Sequence, residues 1–244
     1  MKTNIVKYCK LPFTFSVDIL QQEVMSIETQ QWKSHYNTMN YEGDWSAIPL
    51  LALDGNTENI HATHSDSAIP LEYKPTTYLD KCPGVNDVLR SFQCELRSVR
   101  LMNLTSGAII KEHSDYQLSY EEGEVRIHIP IITNPFVEFY VEKECVVMNE
   151  GECWYLNLSL PHRVHNLGTT NRVHLVIDAV VNPWLISVIE SSEKVCVEVN
   201  KKEKFDKETL SNIIHELVLQ DTETSRSLAR SLQTQLDEHS TNNE

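Results

Sequence analysis

The chain has 244 residues, 41% of them hydrophobic, with a mean hydropathy of −0.34 and a formal net charge of −14. Those figures describe a soluble globular protein with one sizeable core. The negative balance argues against nucleic acid and against an anionic membrane surface as partners, because both are met by clustered Lys and Arg.

No stretch reaches transmembrane length, and the lysines at 2, 7 and 10 are not followed by the apolar run of a secretory signal. A cytoplasmic protein is expected. Its six cysteines, Cys9, Cys82, Cys94, Cys145, Cys153 and Cys196, show no C-x-x-C spacing and read as free thiols.

Residues 1–13 read as an extended lead-in with a strand near Asn4 to Tyr8. Ser16 as a cap, Asp18 in the first turn, and Leu20, Val24 and Ile27 at helical spacing predict an amphipathic helix to about residue 33. Residues 34–80 are rich in Asn, Asp, Ser, Thr and Pro, broken by the apolar run from Ile48 to Leu53, and read as loops. Their aromatics Tyr41, Trp45, Tyr73 and Tyr78 either line a pocket mouth or pack as satellites. A His64-Ser65-Asp66 triplet lies here without alternating strand around it, and reads as loop.

Val85, Val88, Leu89 and Phe92 predict a helix over about 85–95. Eight short strands follow, at about 96–104, 108–115, 124–132, 136–141, 144–148, 152–158, 162–166 and 172–181, separated by Gly, Asn and Pro turns. That succession predicts a mainly β fold, an antiparallel jelly roll or barrel with the upstream helices packed on it. Beyond Pro183 come a strand-like Val195 to Val199 and two helices built on Leu210, Ile213, Ile214, Leu217 and on Leu228, Leu232, Leu236. The expected organisation is a β domain over 1–186, an appendage over 187–237 that covers a sheet or pairs with its copy in a homodimer, and a disordered tail over 238–244.

Strand parity locates the chemistry, since residues two apart share a face. His113 and Asp115 project together, as do Arg126 with His128, and Arg172 with His174 and Asp178. The alternate positions Val125, Ile127, Ile129 and Ile131, and Val173, Leu175 and Ile177, form greasy faces. So many buried charged groups need a counter-ion, a metal or an anionic ligand.

His113 and Asp115, completed by His162 or His165, have the composition of a 2-His-1-carboxylate iron site, which leaves three octahedral positions for a bidentate 2-oxo acid and O2. The ten-residue separation of His162 from Arg172 favours His162, whereas His165 has opposite parity. The segment Asn166 to Asn171 would be the hairpin joining their two strands. Arg172 would then hold a dicarboxylate bidentately. Taken singly, His128, His165 and His174 read as core or loop histidines, Arg126 as an ion-pair partner of Glu124 or Glu138, and Asp178 and Glu152 as strand-end or turn residues.

The ordered set H-S-D, R-x-H-x-P, E-G-E-x-W-x-x-N, H-x-V-x-N and R-x-H-L-x-x-D resembles the aspartyl/asparaginyl β-hydroxylase family, which includes free-proline cis-hydroxylases. The resemblance implies a double-stranded β-helix, a cupin-like jelly roll using Fe(II), 2-oxoglutarate and O2. It implies His113, Asp115 and His162 as metal ligands, and Arg172, aided by Arg126 and His128, as the 2-oxoglutarate site. Asp115 stands where the vertebrate-type members carry glycine, which leans the substrate toward a free amino acid or small metabolite over a peptide. Trp45, Arg97, Arg100, Tyr116 and His174 are candidates for substrate contact, with at most one of Arg97 and Arg100 facing inward. The alternatives are a cupin-like metal-dependent isomerase or hydrolase, and a non-catalytic binding protein.

Overall fold

The computed structural model describes residues 2–27, 31–61, 72–115, 118–200 and 207–220, together with positions 225, 226, 228–230, 232, 233 and 236. Tyr116, the His64-Ser65-Asp66 triplet and the tail 238–244 lie outside the described residues. In chain order the elements are β1 (Lys2–Thr14), α1 (Val17–Ser26), β2 (Lys33–Ser34), β3 (Tyr41–Glu42), β4 (Trp45–Leu53), β5 (Tyr73–Pro75) and α2 (Pro83–Arg90). Then come β6 (Leu96–Leu104), β7 (Ile109–His113), β8 (Glu124–Ile132), β9 (Val137–Val141), β10 (Glu144–Cys145), β11 (Glu152–Leu156), β12 (His162–Asn166) and β13 (Arg172–Val180). The chain continues with α3 (Pro183–Ser191), β14 (Lys194–Asn200) and α4 (Lys207–Gln220).

Of the eight strands β6 to β13, β6, β8, β11 and β13 lie in one sheet and β7, β9, β10 and β12 in the other. The larger has the order β14-β1-β11-β8-β13-β6-β4-β2, with β5 on β4, and the smaller β10-β9-β12-β7-β3. Within this, β11-β8-β13-β6 faces β10-β9-β12-β7, the strand order of a double-stranded β-helix, so the jelly roll is present. The chain divides into two compact units, one spanning Asn4–Thr63 and Leu71–Glu198, the other containing α4. Among the described residues no helix is long and apolar enough to cross a membrane. All six cysteines are free.

The greasy positions do what parity demands. Val125, Ile127, Ile129 and Ile131 of β8 and Val173, Leu175 and Ile177 of β13 join Leu20 and Val24 of α1, Val85 and Val88 of α2, and Leu185 and Ile189 of α3 in one buried cluster. The helices therefore cover one face of the large sheet, and its ionic face is left for the jelly-roll interior. Each fully buried aliphatic side chain there contributes about 1.5–3 kcal/mol.

Three expectations are corrected. The first helix ends at Ser26, because Ile27 is already extended and Lys33 and Ser34 pair with β4. The stretch 34–80 is not all loop, since β4 pairs with β6 from Trp45↔Leu104 to Pro49↔Arg100. Pro49 disguises this strand, and its missing N–H is accommodated by a register shift between Pro49 and Leu51. Finally, Asn166 to Asn171 is not a hairpin: β12 pairs with β7 and β9, while β13 pairs with β6 and β8. The segment carries the chain from the small sheet to the large one.

Asn166 fixes that crossing. It is fully buried, its Nδ2 donates to the carbonyls of Leu104 (3.0 Å) and Thr170 (2.8 Å), and its Oδ1 accepts from Asn134 Nδ2 (3.1 Å) and Gly168 N (3.3 Å). Asn166→Ala leaves the buried Leu104 carbonyl without this donor and removes the bonds to Thr170, Asn134 and Gly168, so a loss of about 3 kcal/mol is expected. A urea unfolding midpoint unchanged from wild type would contradict this.

Candidate metal centre and anion pocket

His113 ends β7 and His162 begins β12, and the two residues are direct partners across the sheet. Their rings therefore lie side by side, 4.2 Å between centroids. Asp115 follows two residues on, its backbone N–H donating to Leu158 O at 2.8 Å. One nitrogen from each histidine and one oxygen of Asp115 all lie within 4.8 Å of one another, a grouping that could hold a metal ion.

The hydrogen bonds of these rings decide which atoms face the centre. His113 Nδ1 lies 2.8 Å from Lys111 O, and His162 Nδ1 lies 3.0 Å from Leu160 O. A carbonyl only accepts, so each Nδ1 carries the proton and each Nε2 keeps its lone pair for a metal. Burial pushes His162 down to about 4, against the pull of Asp115, so the ring is neutral at physiological pH. Burial works to raise the Asp115 carboxyl, but Arg126, His162 and His113 outweigh it and hold it below the ordinary range. Two imidazoles and an ionised carboxylate are the donor set of a divalent transition metal with open positions.

Beside this centre the ionic face of the large sheet presents Arg100, Arg126, His128, Arg172, His174 and Asp178. Arg172 is buried, donates through Nη2 to His174 Nδ1 at 2.9 Å, and sits 5.7 Å from the Phe139 ring centroid. Among the described residues it has no carboxylate partner, and its Nε has no hydrogen-bond partner at all. Burial lowers this guanidinium to about 9. Burial, and then the Arg172 charge, push His174 and His128 far below the usual imidazole value, so both are neutral. His128 Nε2 is likewise buried without a partner. A buried cation flanked by neutral rings and orphaned polar atoms has the composition of an anion site.

Arg126, expected to assist the co-substrate, is instead held by two carboxylates. Its Nη1 lies 2.6 Å from Asp115 Oδ2, and its Nε and Nη2 lie 2.6 and 3.0 Å from Asp178 Oδ1 and Oδ2. Neither Glu124 nor Glu138 is its partner: Glu124 pairs with Arg97 at 2.8 Å, and Glu138 lies 3.8 Å from His165. Arg97 is thereby turned to the surface. Arg100 is buried, with Nη2 2.9 Å from Asp178 Oδ2 and its Nε without a partner. Asp178, expected to be a strand-end residue, is 1% exposed and is the hub of the cluster. Glu152 does sit by a turn, accepting from Asn149 N at 2.8 Å.

Trp45 lies on the same face, in register with Leu104 and through it with Arg172. Its Nε1 is buried without a partner, and its ring stacks on His35, 3.6 Å between centroids and 14° from parallel. His35 was not anticipated. Burial, then Arg100 and Arg126, lower it to about 3. No periodicity marks it, because β2, which ends beside it, is two residues long.

Residues 15–182 match the family described as Aspartyl/Asparaginyl beta-hydroxylase. An L-proline cis-4-hydroxylase of Rhizobium meliloti (strain 1021) is 29% identical over 162 residues, 65% of this chain and 55% of that protein, so the chain spans just over half the relative's length. Among solved structures, a Pseudomonas putida prolyl-4-hydroxylase is similar at 12% identity and TM-score 0.45, over 72% of this chain and 94% of that one. An oxidoreductase of the 2OG-Fe(II) oxygenase family from Burkholderia pseudomallei is similar at 10% identity and TM-score 0.44, over 66% and 76%. By the match across more than half of its length, the chain belongs to the aspartyl/asparaginyl β-hydroxylase family.

Proposed function

We propose that the protein is an Fe(II)- and 2-oxoglutarate-dependent dioxygenase that hydroxylates a small amino-acid substrate. The observation that carries this reading is Arg172, a buried guanidinium with no carboxylate partner among the described residues, beside a His-Asp-His cluster. A cupin-like isomerase or hydrolase has no use for such a cation, and a binding protein has none for the ligand set.

His113 Nε2, Asp115 and His162 Nε2 would hold the metal. The far carboxylate of 2-oxoglutarate would pair with Arg172, in place of the weaker acceptor His174. When bound, Fe(II) with 2-oxoglutarate and O2 supplies C–H hydroxylation, releasing succinate and CO2. The protein's part is to orient both substrates, and to keep bulk water from a cluster in which His162, His128 and His174 are all buried.

Charge supports the substrate class. In the interior, Arg100, Arg126 and Arg172 outnumber Asp115 and Asp178 by one positive charge. A divalent metal and a dicarboxylate add opposite and equal charge, leaving that excess for one carboxylate on the substrate. An amino or imino acid offers that carboxylate, its own ammonium group leaving the net charge unchanged, and L-proline and its analogues are the first to test, given the Rhizobium relative. Trp45 and Arg100 are the wall such a substrate would meet.

A screen of amino acids for stimulated succinate formation tests the reading. Release that no amino acid or short peptide stimulates, together with absence of a visible charge-transfer band on anaerobic addition of Fe(II) and 2-oxoglutarate, would overturn it. Arg172→Gln should raise KM for 2-oxoglutarate about 100-fold, the loss of roughly 2.7 kcal/mol that follows removal of one partner of a buried charge pair. An unchanged KM would move the co-substrate site elsewhere.

The lowered histidines also set a pH dependence. His35, His128, His162 and His174 all have folded values below that of the unfolded chain. Below about pH 6.5 the unfolded chain binds protons that the fold refuses, so stability is full above that value and lost below it, by up to about 1.4 kcal/mol per pH unit for each group. Unfolding midpoints of the metal-free protein should fall steeply from pH 6.5 toward 4. A flat profile from pH 7 to 5 would contradict the burial of these rings.

A further inference from the structure

The two oxygens of Asp115 have divided roles. Oδ1 lies 3.8 Å from His113 Nε2, on the side of the ligand cluster, and Oδ2 lies 2.6 Å from Arg126 Nη1. What aims Nη1 is Asp178. It stands directly opposite Arg126 across β13 and β8, and takes the Nε and Nη2 edge of the guanidinium at 2.6 and 3.0 Å. A planar guanidinium gripped along one edge has a fixed plane and a fixed direction for its remaining nitrogen. Arg100, on the other neighbour β6, closes the arrangement at 2.9 Å from Asp178 Oδ2.

We propose that Asp178 is a positioning residue of the metal centre: by gripping Arg126 it caps Oδ2 of Asp115, so that only Oδ1 is offered to the ion. A capped carboxylate cannot chelate. One-oxygen ligation leaves three octahedral positions free where chelation would leave two, and a bidentate co-substrate plus O2 needs three. Asp178 also offsets the positive charge of Arg126, which would otherwise compete with the metal for Asp115. Both effects favour the metal. A purely structural ion pair would be met by Arg100 alone, with no need for a second arginine reaching Asp115.

The inference rests on the metal reading above, and the test separates the two. Anaerobic Co(II) titration of the full chain, followed by calorimetry and by the visible d–d spectrum, reads both affinity and coordination number. Asp178→Asn should weaken Co(II) binding about 10- to 100-fold, as loss of an outer-sphere partner does, and alter the spectrum. Because that variant leaves Arg100 buried without a carboxylate, Asp178→Asn combined with Arg100→Gln restores the charge balance and should show the same change. Arg126→Lys, which keeps the charge and loses the fork, should do likewise, whereas Arg100→Gln alone should keep the wild-type spectrum. Wild-type affinity and spectrum in the folded double variant and in Arg126→Lys would overturn the proposal for Asp178. Failure of the wild-type protein to bind Co(II) at His113, Asp115 and His162 would overturn the metal reading itself.

Discussion

The structure depends on one constraint: a row of guanidinium groups and carboxylates sits inside a β fold, where an isolated charge is untenable. Arg100, Arg172 and Asp178 are each at most 2% exposed. Moving such ions from water is costly by several kcal/mol each unless they are paired in good geometry. Asp178 satisfies two of the arginines at once, one of them through a two-point grip. Arg172 is left to a neutral histidine, which is an acceptor but no counter-ion. Among the described residues Arg172 is thus a buried cation that the fold leaves without a carboxylate.

Strand periodicity makes this arrangement compatible with a stable core. On β8 and β13 every second residue joins the aliphatic cluster under α1, α2 and α3, and the residues between them carry the ionic groups. The large sheet thus separates two environments by the thickness of one strand. The small sheet supplies the two histidines of the candidate metal centre because β7 and β12 are neighbours there, and His113 and His162 meet as a cross-strand pair. The crossing at Asn166 then delivers Arg172 to the large sheet. Its separation from His162 in sequence is short because the segment only has to pass from one sheet to the other.

Much of this was legible in the sequence, for a physical reason. His113, His162 and Arg172 lie on regular strands, where parity fixes which residues share a face, whereas Asp115 lies two residues past the end of β7; all eight strands from β6 to β13 were anticipated to within a few residues. What escaped depended on partners remote in sequence. Pro49 made β4 look like a loop, because strand propensity cannot show that a register shift will absorb the missing donor. Asp178 looked like a strand end, and Arg126 was matched with Glu124 and Glu138, because cross-strand register is set by the whole sheet. Local spacing named the residues that face inward, and only the pairing of strands showed which of them touch.

The charge of the whole chain bears on the same site. At −14 the protein repels dicarboxylates at long range, yet the proposed co-substrate is one. The resolution is one of distance and dielectric. Charges on the surface are screened within about 8 Å at physiological ionic strength, whereas a buried cation meets its ligand in a medium where the interaction is several times stronger than in water. The site therefore wins by placement against the global field, which also means that capture cannot be assisted by steering. An anion that reaches the pocket would be held by Arg172, because no carboxylate among the described residues answers that charge.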